Sequence, residues 1–187
     1  MSNLESRFTV PTGFCPHPEY WHSPDAEGTE REVSYFIAAL VTMLQPEFVL
    51  ETGTWHGHTT ALISEAIYKN GHGKFVSIEK DRGTYEEAQR YFYWPGTELL
   101  NMNTMDYTPE QNIDFAFFDS WQEGRHEEFL LYHGLGFLKP GAIVAFHDTA
   151  PHHQVFRLMQ EHLIDHGYIF PIQFHTPRGL VLGQVLK

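Results

Sequence analysis

The chain has 187 residues, enough for one domain with a full core, and 42% of them are apolar, as in ordinary globular proteins. Its formal charge of −12 excludes recognition of a phosphate backbone, which needs clustered Lys and Arg, so no nucleic-acid partner is expected. One cysteine, Cys15, excludes an intramolecular disulfide framework. There is no basic-then-apolar leader and no apolar run of membrane length, so a cytoplasmic protein without a membrane partner is expected.

Residues 1–28 contain Pro11, Gly13, Pro16, Pro18 and Pro24, a spacing that forbids a long helix. They read as an irregular arm whose Phe14, Tyr20 and Trp21 pack on something: a lid, a substrate wall, an arm between subunits of a homo-oligomer, or an ordered tail over the core. Residues 29–187 read as a single domain. Thr29-Glu30-Arg31-Glu32 has the form of a capping box. Val33, Phe36, Ile37, Leu40, Val41 and Leu44 continue one helical face, which Pro46 ends. A strand is expected over about 47–51 and a crossover helix over about 57–69. Lys74–Glu79 is a second strand, 84–93 a helix and 98–102 a short third strand. Ile113–Asp119 is nearly all apolar and reads as a strand buried on both faces. A helix over 123–138, a sharp turn at Lys139-Pro140-Gly141, a strand over 142–146 and a helix over 152–166 follow. Tyr168–His175 and Leu180–Leu186 flank Thr176-Pro177-Arg178-Gly179, a hairpin signal. The alternation predicts an α/β fold, with a mostly parallel sheet and one antiparallel strand.

The ligand chemistry gathers at strand ends. After Phe48-Val49-Leu50, Glu51 precedes a turn with Gly53, Thr54 and Gly57 and then a helix, the arrangement of a nucleotide cradle. The same pattern suits an ordinary βα loop. The glycines stand as G-x-x-x-G, neither the dinucleotide fingerprint nor a phosphate loop. Glu79 ends the second strand, where an acid accepts from ribose hydroxyls in such folds, or is simply a solvated carboxylate. Thr104 and Met105 fall where a nucleobase would be covered. Asp119 ends a central strand, in the crevice of an open sheet, and His147-Asp148 end its expected neighbour. Thirteen histidines raise the question of a metal. Asp119, His147 and Asp148 together could hold Mg²⁺ or another divalent cation, Mn²⁺, Fe²⁺ or Zn²⁺.

Glu51-Thr52-Gly53-Thr54-Trp55-His56-Gly57 resembles motif I of class I S-adenosylmethionine-dependent methyltransferases, written E/D-x-G-x-x-x-G in the small-molecule O-methyltransferases. Asp119-Ser120-Trp121-Gln122 resembles the acid-x-Trp-Lys stretch of catechol O-methyltransferases. Phe146-His147-Asp148-Thr149 is similar to the Asp-Asn metal pair there, and closer to the His-Asp-Thr and Glu-Asp forms of antibiotic and sugar O-methyltransferases. Leu138-Lys139-Pro140-Gly141-Ala142 is common throughout class I. The resemblance spans roughly residues 29–185. It implies a Rossmann-like seven-stranded sheet with a C-terminal antiparallel hairpin. It also implies methyl transfer from S-adenosylmethionine to a hydroxyl of a small molecule, assisted by a divalent metal at Asp119, His147 and Asp148. By position, Glu51 and Gly53 would lie against the methionine end of the cofactor, Glu79 on the ribose and Trp121 beside the adenine. Two departures stand out. Gln122 replaces the basic Lys, and His147 leaves the metal shell one anion short. With Gln122 unable to take a proton, His152, His153 and His126 are the candidate bases. A nicotinamide-dependent oxidoreductase and a non-catalytic cofactor-binding protein are the competing readings.

Overall fold

Short apolar segments bounded by Gly and Pro pair here side by side, and helices cover both faces of the sheet they make. The structure, a computed structural model, describes residues 10–25, 28–91, 93–121 and 124–187. The strands are β1 (Phe48–Thr52), β2 (Lys74–Glu79), β3 (Thr97–Asn101), β4 (Ile113–Phe118), β5 (Leu138–His147), β6 (Ile169–Phe174) and β7 (Leu180–Val185). The helices are α1 (Arg31–Leu44), α2 (His58–Asn70), α3 (Arg82–Ala88), α4 (Arg125–Gly134) and α5 (Val155–Met159). All seven strands form one sheet in the order β3-β2-β1-β4-β5-β7-β6. The pairs from β3 through β5 are parallel, and β7 runs antiparallel between β5 and β6. This is the mostly parallel sheet with a terminal antiparallel hairpin expected from the alternation.

Successive strand residues face opposite sides of the sheet. Val49, Phe75, Phe115 and Phe117 meet Val33, Ile37 and Val41 of α1 and Ile63 and Ile67 of α2 on one side. Leu50, Val76, Ile78, Phe118 and Phe146 meet Phe129 and Tyr132 of α4 and Val155 and Met159 of α5 on the other. Strand order reverses between β1 and β4, which opens a crevice at their carboxyl ends. The arm closes the α1 side: Phe14 lies 4.2 Å from the His175 ring, and Trp21 packs on that core. Among the described residues, no helix is long and apolar enough to cross a membrane.

Four local expectations change. The capping box is not formed: α1 is capped at Glu30 with no side-chain bond. Thr29 instead donates to Asp119 (2.5 Å), and Glu32 accepts from the His22 backbone N–H (2.9 Å). α3 starts early because Asp81 caps it, accepting from the Thr84 N–H at 2.8 Å, and stops early, where the Tyr93 hydroxyl donates to the Ala88 carbonyl at 2.7 Å. Lys139-Pro140-Gly141 lies inside β5 rather than before it: Leu138 already pairs with Ile113, and a register shift absorbs the extra residues, with Gly141 at φ +97°. The helix expected over 152–166 is α5 followed by one π turn, Gln160–Ile164.

Candidate active site

The crevice is a cleft of about 700 Å³ at the carboxyl ends of β1, β2, β4 and β5. Its floor is the turn after β1. Gly53 has φ +88°, and a Cβ there would stand 2.4 Å from the Asp119 carbonyl oxygen, so the turn packs backbone to backbone on the end of β4. Trp55 (φ 49°) and Asp148 (φ 58°) are non-glycine residues in the left-handed region, and both line the cleft. Strain of this kind gathers at functional sites. Beneath the floor, buried Glu51 accepts hydroxyl bonds from Thr60 (2.5 Å) and Ser77 (2.6 Å). Burial pushes its pKa up to about 8 against those two bonds, so it is a neutral acid at pH 7. Thr54 bonds Ser77 at 2.6 Å, and Gly57 starts α2; neither lines the cleft.

One wall carries Glu79, whose carboxylate is aimed by two backbone donors, Trp55 N–H (3.0 Å) and Asp81 N–H (2.9 Å). A carboxylate offers about four lone-pair directions, so two remain for a ligand. Beside it stand Asn103, Thr104, Met105 and Trp121. Met105 is 41% exposed and Trp121 61% exposed, apolar surfaces turned to the opening. Glu128 of α4 braces this wall from below, accepting from Thr52 (2.8 Å), Ser120 (2.7 Å) and Thr104. Burial raises its pKa despite the three hydroxyls.

The opposite wall is a charged cluster. Asp119, His147 and Asp148 converge as expected, their ligating atoms within 4.8 Å of one another. Two buried residues that the sequence reading did not assign to the site join them. Arg125, in the first turn of α4, donates through Nη2 to Asp119 (3.0 Å), Asp148 (2.9 Å) and the Ser120 carbonyl (2.8 Å), and through Nη1 to the His147 carbonyl. Glu30 accepts from His147 Nε2 (2.6 Å), Thr176 (2.8 Å) and the Arg178 N–H (2.8 Å). His147 Nδ1 donates to Asp119 at 2.9 Å, and Arg178 Nε donates to Asp148 at 2.6 Å. Burial disfavours a charge on His147, but Asp119, Asp148 and Glu30 overcome it and lift its pKa to about 10. In spite of burial, His147 and the Arg178 N–H hold Glu30 below the usual carboxylate range, and His147, Arg125 and Arg178 do the same for Asp148. Both ring nitrogens of His147 thus face carboxylates, Asp119 on one side and Glu30 on the other. The three residues expected to hold a metal are thus brought together, with the Arg125 guanidinium bonded to both aspartates.

The candidate bases separate by position. His126 is buried, stacked 4.7 Å from His162, and His152 is exposed against the His153 ring at 4.1 Å; neither lines the cleft. His153 does line it, with Nε2 3.7 Å from Asp148 Oδ1. Burial lowers its pKa to about 4, with Asp148 opposing, so the ring is neutral at pH 7. Gln122 lies outside the described residues. One signal pointed to Arg125: it is the only Lys or Arg between Arg90 and Lys139 in an acidic chain. Glu128 carries no such mark.

Comparison with known proteins follows the same lines. The profile of a family described as "Methyltransferase domain" matches residues 50–149. The chain is 25% identical over 142 residues to catechol O-methyltransferase B of Danio rerio, covering 70% of this chain and 51% of that one. It is 30% identical over 130 residues to caffeoyl-CoA O-methyltransferase of Populus kitakamiensis, covering 61% of this chain and 52% of that one. The chain thus spans about half the length of the curated relatives it matches. The SAH-bound Podospora anserina methyltransferase PaMTH1 shares the fold with a TM-score of 0.76 at 15% identity, over 88% of this chain and 83% of that one.

Proposed function

This chain belongs to the methyltransferase-domain family, and on that premise we propose that it transfers a methyl group from S-adenosylmethionine to a hydroxyl of a small molecule. The observation that carries the reading is Glu79, fixed at the end of β2 by two backbone N–H groups with acceptor capacity turned to the cleft. Such a carboxylate suits a ribose diol, and the exposed faces of Met105 and Trp121 with Thr104 suit an adenine. Gly53 presents a turn with no side chain under the methionine end, and Glu51 beneath it keeps that turn in place through Thr60 and Ser77.

When bound, S-adenosylmethionine supplies an activated sulfonium methyl to an attacking oxygen and departs as S-adenosylhomocysteine. The chain's own contribution is chiefly positional: holding two reactants in line and close supplies much of the rate. Asp119 and Asp148, locked by Arg125 and Arg178, make the acceptor wall rigid. His153, neutral and on that wall, is the proton acceptor proposed in place of His126 and His152. The names of the relatives, catechol and caffeoyl-CoA O-methyltransferase, support a hydroxylated small acceptor here. The cytoplasm is the proposed location, consistent with the single buried thiol of Cys15.

The test is incubation with methyl-labelled S-adenosylmethionine and a panel of phenols, catechols and sugars, read by mass spectrometry. An O-methylated product that disappears in Glu79→Ala is expected. Label on a nitrogen or carbon acceptor, or product formation indifferent to Glu79→Ala, would contradict the reading.

A further inference from the structure

Asp119 and Asp148 are held together in this chain by a cation of its own. Arg125 Nη2 lies 3.0 Å from Asp119 Oδ1 and 2.9 Å from Asp148 Oδ2. We propose that this site works without a divalent metal, the Arg125 guanidinium standing between the two carboxylates where such a cation would bind. The proposal rests on the methyl-transfer reading for what the site does, and on geometry alone for what fills it.

Three observations carry it. The guanidinium is buried, at 2% exposure, and anchored to the chain at both sides of the gap, to the Ser120 carbonyl next to Asp119 and the His147 carbonyl next to Asp148. Moving it aside would orphan both carbonyls and strand a charge that arginine cannot lose. The third family position is closed too. A metal-bound imidazole directs one nitrogen at the ion and the other N–H at an outer acceptor. Here both nitrogens of His147 face carboxylate oxygens, Asp119 at 2.9 Å and Glu30 at 2.6 Å. Finally, the aspartates already have fixed cations from the chain itself. Three carboxylates (Glu30, Asp119, Asp148) meet two guanidinium groups, Arg125 and Arg178, and both nitrogens of the His147 ring. A divalent ion would set two further positive charges beside a buried guanidinium. What stays at the cleft wall is a permanent single charge committed to both aspartates, with no Lewis-acid centre to strip a proton from an acceptor hydroxyl.

The experiment is titration of the full chain with Mn²⁺ alone, followed by loss of the free-ion electron paramagnetic resonance signal. The wild type is expected to bind no stoichiometric Mn²⁺ up to about 1 mM, the weak end of specific affinity. A single site at micromolar Mn²⁺ that Asp148→Asn removes would overturn the proposal. Arg125→Met, which deletes the charge at similar volume, is expected to gain a Mn²⁺ site; a folded Arg125→Met that gains none contradicts the assignment of Arg125 as the occupant. If that variant does not fold by circular dichroism, the wild-type titration decides alone. Calorimetry with S-adenosylhomocysteine on the same samples separates the two readings. Nucleoside binding without Mn²⁺ binding supports both. Neither binding removes the methyl-transfer reading and leaves the metal-free cluster standing.

Discussion

Glu30→Ala tests whether the buried charge network holds the two ends of the chain together. Glu30 has no exposed surface and accepts from His147, Thr176 and the backbone of Arg178. It therefore joins the start of α1 to the end of β5 and to the β6–β7 loop. Alanine leaves an imidazolium facing a void and two buried donors unsatisfied. Breaking a buried ion pair from one side costs about 3–5 kcal/mol. For a chain of this size that lowers the melting temperature by roughly 6–20 °C. Calorimetric melting of wild type and variant, with Glu32→Ala as a partly exposed control expected to cost about 1 kcal/mol or less, gives the comparison. The pH dependence has a defined sign. His147 rises from an ordinary 6.5 to about 10, so its contribution is complete below pH 6.5 and is lost as pH rises toward 10. Glu30 and Asp148 are lowered, so theirs is complete above the ordinary carboxylate range and is lost as pH falls below it. The wild type should lose stability between pH 6.5 and 10 more steeply than Glu30→Ala. A variant within about 1 kcal/mol of wild type, with an unchanged alkaline slope, would refute the network as a stabilising element.

Other perturbations separate the roles of the cleft residues. Glu51, raised from 4.5 to about 8, loses stability as pH climbs through that interval. Glu51→Gln should therefore be more stable than wild type at pH 8 by about 1–3 kcal/mol in urea unfolding, and a destabilised variant would show that the carboxyl is ionised. Glu79→Ala should weaken S-adenosylhomocysteine binding by about 1–3 kcal/mol with little change in melting temperature, and unchanged affinity would take Glu79 out of the ribose site. Gly53→Ala would push a Cβ to 2.4 Å from the Asp119 carbonyl at φ +88°. It should cost at least about 1–3 kcal/mol of stability in a melting experiment; a neutral result would mean the turn relaxes.

The fold was legible because its signals are strong and local. Apolar runs such as Ile113–Phe118, glycine turns, and acids at or beside the ends of β1, β2, β4 and β5 agree with one doubly wound sheet. Boundaries moved where tertiary contacts outbid local ones. Thr29 and Glu32 match a capping box in sequence, but Thr29 is drawn to Asp119 and Glu32 to His22, so the box never closes. In the site, Gly53, Glu79, Asp119, Trp121 and Asp148 line the cleft as their strand-end positions implied. Arg125 and Glu30 were not assigned because Asp148 lies 23 residues from the first and His147 117 residues from the second, and only the folded sheet brings these pairs together. The two carboxylates that face the His147 ring, Asp119 and Glu30, were hidden for the same reason.

The most direct test of the account is calorimetric titration of the chain with S-adenosylhomocysteine and, separately, with NAD, each with and without Mg²⁺. Micromolar binding of S-adenosylhomocysteine, indifferent to Mg²⁺ and weakened in Glu79→Ala, with no binding of NAD, is the predicted result. Binding of NAD in its place, or no S-adenosylhomocysteine binding under any condition, would contradict it.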